Sequence, residues 1–218
     1  MCRETLDRET LIDLFVEHNQ EGCAGYWASC EDVYWIFERY GSWARETTSI
    51  LAQTCRLSYD QIYNRRDAWR LRVATEKVRS KSEISALANA LSFSYFARMY
   101  KLLPRLVTFG EMKQILKEAQ AEHGREEGKK IAAEGIGNLR AFRASEWLLQ
   151  AKNEGLSIEY MAAEVEAATD GDPLETWRKR ARRARRLLGV LWTDSASLGI
   201  DERIRKLLHE VWKILEDI

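Results

Sequence analysis

SWARETTSILAQTCRLSYDQIYNRRDAW, residues 42–69, carries the pattern on which the fold turns. Ile50 and Leu51 give its first half an apolar side, with the small Ala52 beside them. CRLS then makes a short turn, and Ser58, whose hydroxyl suits the first free amides of a helix, opens a second helical stretch through Trp69. The expectation is helix, tight turn, helix. Two helices that cross closely need a small residue where their backbones approach, which Ala52 supplies. They also need apolar residues beside the turn and on the inner side of the second helix, which Leu57 and Ile62 supply. Two positions depart from this pattern: Arg56 stands where such a turn often has glycine, and Arg65 where an apolar residue is usual.

With Ile62 inward, helical spacing turns Tyr59, Asp60, Gln61, Asn64 and Arg66 outward. The second helix of such a unit can enter the major groove, where Asn and Gln amides bond to adenine and Arg to guanine. Those five residues are the candidate base readers. Arg56, Ser58, Arg65, Arg70 and Arg72 are the candidates for phosphate contact, which positions a protein on the duplex without reading it.

The apolar frame repeats. An offset of 34 places Leu57-Ser58-Tyr59 over Leu91-Ser92-Phe93, Ile50 over Ile84, Ala52 over Ala86 and Ile62 over Phe96. SEISALANALSFSYFARMYKLLPRL is therefore expected to form a second such unit, with Met99 inward, Arg98 and Lys101 outward toward phosphates, and Pro104 ending it. A tetratricopeptide array has the same period, but its Trp, Leu-Gly and Tyr pattern is missing and only two units align. A third Leu-Ser-Ile, residues 156–158, follows Gly155; Glu159, Glu164 and Glu166 make its second helix acidic, so it reads as a packing unit.

Around this centre the chain reads as all-α and multi-helical, since it is rich in Ala, Leu, Glu, Arg and Lys and has two prolines in 218 residues. A first helix is expected over about 8–18, broken by EGCAG. Ser29 and Asp32 have the spacing of a cap that opens a helix which Gly41 closes in a left-handed conformation. Aromatics crowd residues 26–43, read as a core or subunit contact, with a protein partner for this acidic region as the further possibility. Thr108 and Glu111 form another capping box, and REEGKKIAAEGIGN, with three glycines, reads as a linker or weak helix. The domains expected are 1–40 (acidic, aromatic helices), 41–125 (the helix-turn-helix region) and 126–218 (a C-terminal helical region).

The formal net charge of zero hides segregation by segment. Residues 1–40 hold nine acids and three bases, and residues 41–106 hold twelve bases and five acids. Arg178, Lys179, Arg180, Arg182, Arg183, Arg185 and Arg186 fill seven of nine consecutive positions, a strip expected to hold DNA backbone rather than lie merely solvated. Near the end, Ile204, Leu207, Leu208, Val211, Leu215 and Ile218 fall on one helical stripe that suits packing within the chain or, the preferred reading, the seam of a homodimer on a two-fold site.

The four cysteines lack C-x-x-C spacing and the three histidines lie far apart, so neither a metal nor a cofactor is expected. Walker, H-E-x-x-H and G-x-S-x-G segments are missing, which argues against an enzyme. The charged N-terminus and the want of any long apolar run leave no membrane role and make the cytoplasm the default.

The L-S-Y, L-S-F and G-L-S-I segments, in this order, make residues 40–165 resemble helix-turn-helix proteins of bacterial plasmids, phages and mobile elements, of the ParB-like kind. The resemblance implies sequence-specific binding of double-stranded DNA, at the nucleoid, in transcription regulation, partition or maintenance of an element. A ParB-type nucleotide-hydrolysing G-rich box is not present. The rival reading is a protein–protein adaptor without nucleic acid.

Overall fold

The structure, a computed structural model, describes residues 3–41, 44–169 and a few positions between 188 and 209. Among the described residues it is all-α: α1 (Arg8–Gln20), α2 (Tyr26–Tyr40), α3 (Ala44–Cys55), α4 (Tyr59–Glu76), α5 (Lys81–Ala90), α6 (Phe93–Leu102), α7 (Phe109–His123), α8 (Arg125–Glu154) and α9 (Ile158–Thr169). Short 3-10 turns precede α1 and α2 and follow α6. By its contacts the chain forms two units, Met1–Ala162 and Ala163–Ile218. The basic strip 178–186 and Leu208, Val211, Leu215 and Ile218 lie outside the described residues; Ile204 and Leu207 are exposed. No described helix is long and apolar enough to cross a membrane.

Helix starts follow local chemistry. Ser58, Ser80 and Thr108 each accept a hydrogen bond from the backbone amide three residues on, and the Gln61, Glu83 and Glu111 side chains each bond back to the cap amide. Each box satisfies two amides that the first turn leaves without a helical partner.

The core of the first unit lies under the α3–α4 corner. Leu11 and Phe15 of α1, Val33, Ile36 and Phe37 of α2, Leu51 of α3 and Ile62 of α4 form one buried cluster, with Ala52, Leu57 and Tyr63 packed at its edge. Burying Ile62 fully is worth about 2–3 kcal/mol. Residues 1–40 are therefore not a separate region. They supply five of the seven buried residues of that cluster, because α3 and α4 alone leave their apolar sides open.

Further expectations are corrected. Ser29 and Asp32 do not open a helix: α2 begins at Tyr26, both residues are buried within it, and Ser29 Oγ donates to the Tyr26 carbonyl at 2.8 Å. Gly41 is right-handed (φ −57°). Residues 125–138 are no linker but the first half of the 30-residue α8. Gly128 belongs there because a Cβ would lie 2.6 Å from the Gln120 Cα of α7, so only glycine permits this approach. Since α8 packs on α4, α5, α6 and α7, the boundary expected at 125/126 cuts through a packed hairpin.

Candidate nucleic-acid interface

The α3–α4 turn is closed by a left-handed residue. Arg56 has φ 54°, the only positive φ of a non-glycine among the described residues, and the Leu57 amide donates to the Ala52 carbonyl at 3.1 Å. This six-to-one bond satisfies a carbonyl in the last turn of α3 and swings the chain into α4. Gly155 repeats it with φ 63° and Leu156 N–H to the Ala151 carbonyl at 2.9 Å. The middle unit differs. Leu91 is extended, bonds to the Leu87 carbonyl, and leaves a turn of two residues with no left-handed member.

Ile62, Phe96 and Met161, the equivalent inner residues, are all fully buried. Beyond Ile62 the first turn of α4 projects into solvent: Ser58, Asp60 and Gln61 are exposed, Tyr59 is 55% exposed, and Arg56 beside them is exposed.

Two of the expected readers are engaged yet remain at the surface. Gln61 Oε1 accepts from the Ser58 amide at 2.8 Å, and half-buried Asn64 accepts from Lys101 Nζ of α6 at 2.7 Å. Lys101 and Arg98 are exposed on α6, as expected.

The arginines further along α4 are engaged within the unit. Arg65, expected against phosphates, is 4% exposed. Its guanidinium donates to Ser29 Oγ at 3.2 Å, Asn19 Oδ1 at 3.0 Å and the Gln61 carbonyl at 3.3 Å, and it lies within 6 Å of the Phe15, Tyr26 and Phe93 rings. All three acceptors are neutral, and burial lowers its pKa. Arg65 fills the place that Met99 fills in the second unit, which is why the helix pattern tolerates it.

Arg66, expected to read bases, turns back instead. Its guanidinium bonds to Asp67 Oδ1 at 2.7 Å and covers the Phe37 and Tyr63 rings. Arg70 donates to Glu38 Oε1 of α2 at 2.7 Å, and Arg72 donates to Glu76 Oε1 at 3.2 Å while stacked on Trp27 and Trp69. The acidic and basic segments thus meet in space at Arg70 and Glu38, while Arg66 and Arg72 pair with acids of their own segment.

The N-terminal aromatics are likewise occupied. Trp27 donates to the Ala88 carbonyl at 2.9 Å and packs edge-on against Phe96, and Tyr26 packs on Phe93. Nearby, Asp32 is fully buried between Arg3 Nε (2.6 Å) and His18 Nδ1 (2.5 Å), a polar knot that fixes the start of the chain on α2. No sequence signal marked it, since its members are far apart along the chain. Burial raises the Cys30 and Cys55 thiols above the ordinary range, so neither is an activated nucleophile. Among the described residues no three His, Cys, Asp or Glu side chains gather to hold a metal ion.

No family model, curated protein or solved structure matches the chain.

Proposed function

We propose that the chain binds double-stranded DNA in a sequence-dependent way, with the first turn of α4 entering the major groove. The observation that carries this reading is the division at Ile62: the side chain is fully buried, while Arg56, Ser58, Tyr59, Asp60 and Gln61 just before it are exposed. In helix-turn-helix units the N-terminal residues of the second helix meet base edges, so the exposed turn is where contact is made. Base contact then rests on Tyr59, Asp60, Gln61 and Asn64, and backbone contact on Arg56, Ser58, Arg98 and Lys101, with the strip 178–186 adding phosphate contacts. Arg65, Arg66, Arg70 and Arg72 drop out of the interface because their guanidinium groups are committed within the fold. The resemblance of residues 40–165 directs this binding toward regulation, partition or maintenance of a mobile element, by a homodimer at the nucleoid.

The test is fluorescence anisotropy of labelled duplexes against the full chain at several salt concentrations. Each released counterion steepens the fall of log K with log salt, by about 0.9 per phosphate contacted. The expected result is binding at low salt, a slope of several units, and a loss of about tenfold for Tyr59→Ala on a selected site. Failure to bind any duplex at low salt removes the proposal.

A further inference from the structure

Resting on that DNA-binding reading, we infer that the α4 face reads guanine in G·C pairs rather than adenine. The orientation of its two amides decides this. The partner of Gln61 Oε1 is a backbone N–H and the partner of Asn64 Oδ1 is an ammonium, at 2.8 and 2.7 Å. Both partners can only donate, so in each amide the oxygen faces inward to the protein and the NH2 group is left to face away.

Adenine offers the major groove one acceptor, N7, beside one donor, N6; an amide reads it bidentately only by using both of its halves. Here one lone pair of each accepting half is taken. The second lone pair of Asn64 Oδ1 stays open, but the Lys101 ammonium beside it sets further donors against an adenine amino group, donor facing donor. Guanine offers two adjacent acceptors, N7 and O6. Asn64 Nδ2 and the remaining N–H groups of Lys101 form a matching pair of donors, brought together from α4 and α6 by their mutual hydrogen bond.

Asp60 completes the pattern. It is exposed and stands one turn before Asn64 on the same side of α4. Its carboxylate only accepts, which suits the N4 amino group of the cytosine paired with guanine. The second corner then contributes more than packing: through Lys101 it sets which base the first corner accepts.

The experiment is selection of the full chain on a random-sequence duplex pool, followed by 7-deazaguanine replacement at each enriched guanine. Lys101→Met and Asn64→Asp, both at positions that the core does not use, are put through the same selection. The expected outcome is an enriched G·C pair at which loss of guanine N7 weakens binding roughly tenfold. Lys101→Met frees the Asn64 oxygen and shifts preference at that pair toward A·T, and Asn64→Asp, which keeps the acceptor but lacks the donors, abolishes the preference for guanine.

Enriched sites with only A·T at the contacted positions overturn the inference, as does a guanine preference that Lys101→Met leaves unchanged. Both leave DNA binding standing. A pool that is not retained at low salt overturns DNA binding itself, and the inference with it.

Discussion

The corners at 52–58 and 151–157 share one backbone solution with different side chains. Each has a six-to-one amide-to-carbonyl bond and a left-handed residue before a Leu-Ser pair, yet the left-handed residue is Arg56 in one and Gly155 in the other. Glycine takes that conformation without a steric penalty, whereas a side chain there costs roughly 1 kcal/mol. The Gly155 corner has what folding alone prefers. The Arg56 corner carries a strained, exposed cation beside the projecting turn of α4, at the place where a phosphate would lie in the proposed complex.

The largest test of that likeness is in the core. If the two corners are equivalent as folding units, Ile62→Ala and Met161→Ala should each destabilise by roughly 2–5 kcal/mol, read as the shift of a urea midpoint. A cost below about 1 kcal/mol at either position would show that its corner is not held from beneath.

Next is Arg65, which marks a difference between the first corner and the second, where Met99 stands. Arg65→Ala leaves a void and an unpaired acceptor on Asn19, a loss of about 3 kcal/mol. Arg65→Met should recover more than half of it, because a guanidinium buried among neutral acceptors has no carboxylate to repay its desolvation. Equal damage from both variants would mean that the hydrogen bonds, not the volume, hold α4 to α1 and α2.

Smaller again is the exchange of turn residues. Arg56→Gly should stabilise by about 1 kcal/mol while weakening duplex binding, and Gly155→Ala should destabilise by a similar amount. A variant at residue 56 that gains stability and keeps full affinity would remove the role given to its charge.

The smallest effect separates the helix starts. The box at Ser58 uses neutral Gln61, whereas the box at Thr108 uses Glu111, whose carboxyl is held down to about 2 by hydrogen bonds from Arg143 and from Thr108. A carboxylate depressed in the folded state adds stability above its unfolded value, near 4.5, and that contribution is lost as pH falls toward about 2. NMR titration should therefore show the Glu111 carboxyl gaining its proton through this window, whereas the Gln61 side chain has none to gain. Arg143→Met should return Glu111 toward the ordinary range.

Local features were legible in the sequence and long-range pairing was not. The Ser58 and Thr108 helix starts, the corner at Leu57 and the inward Ile62 follow from contacts within a few residues, which spacing records. The partners of Arg66, Arg70 and Arg72 were not legible because a segment's charge balance says nothing of what packs on it. Glu38, 32 residues away, neutralises Arg70. Gly128 was misleading for a related reason. Glycine marks a loop when only the chain itself is considered, but here it marks a close approach of α7 to α8. Ser29 and Asp32 imitate a cap by spacing, yet the helix continues back to Tyr26.

Hydrogen exchange of the full chain, free and bound to a selected duplex, tests the central claim most directly. Slowed exchange is predicted in peptides covering residues 56–64 and around Lys101, with little change across α7. Protection that spares 56–64 while appearing elsewhere on the chain would contradict the assignment of α4 to the groove.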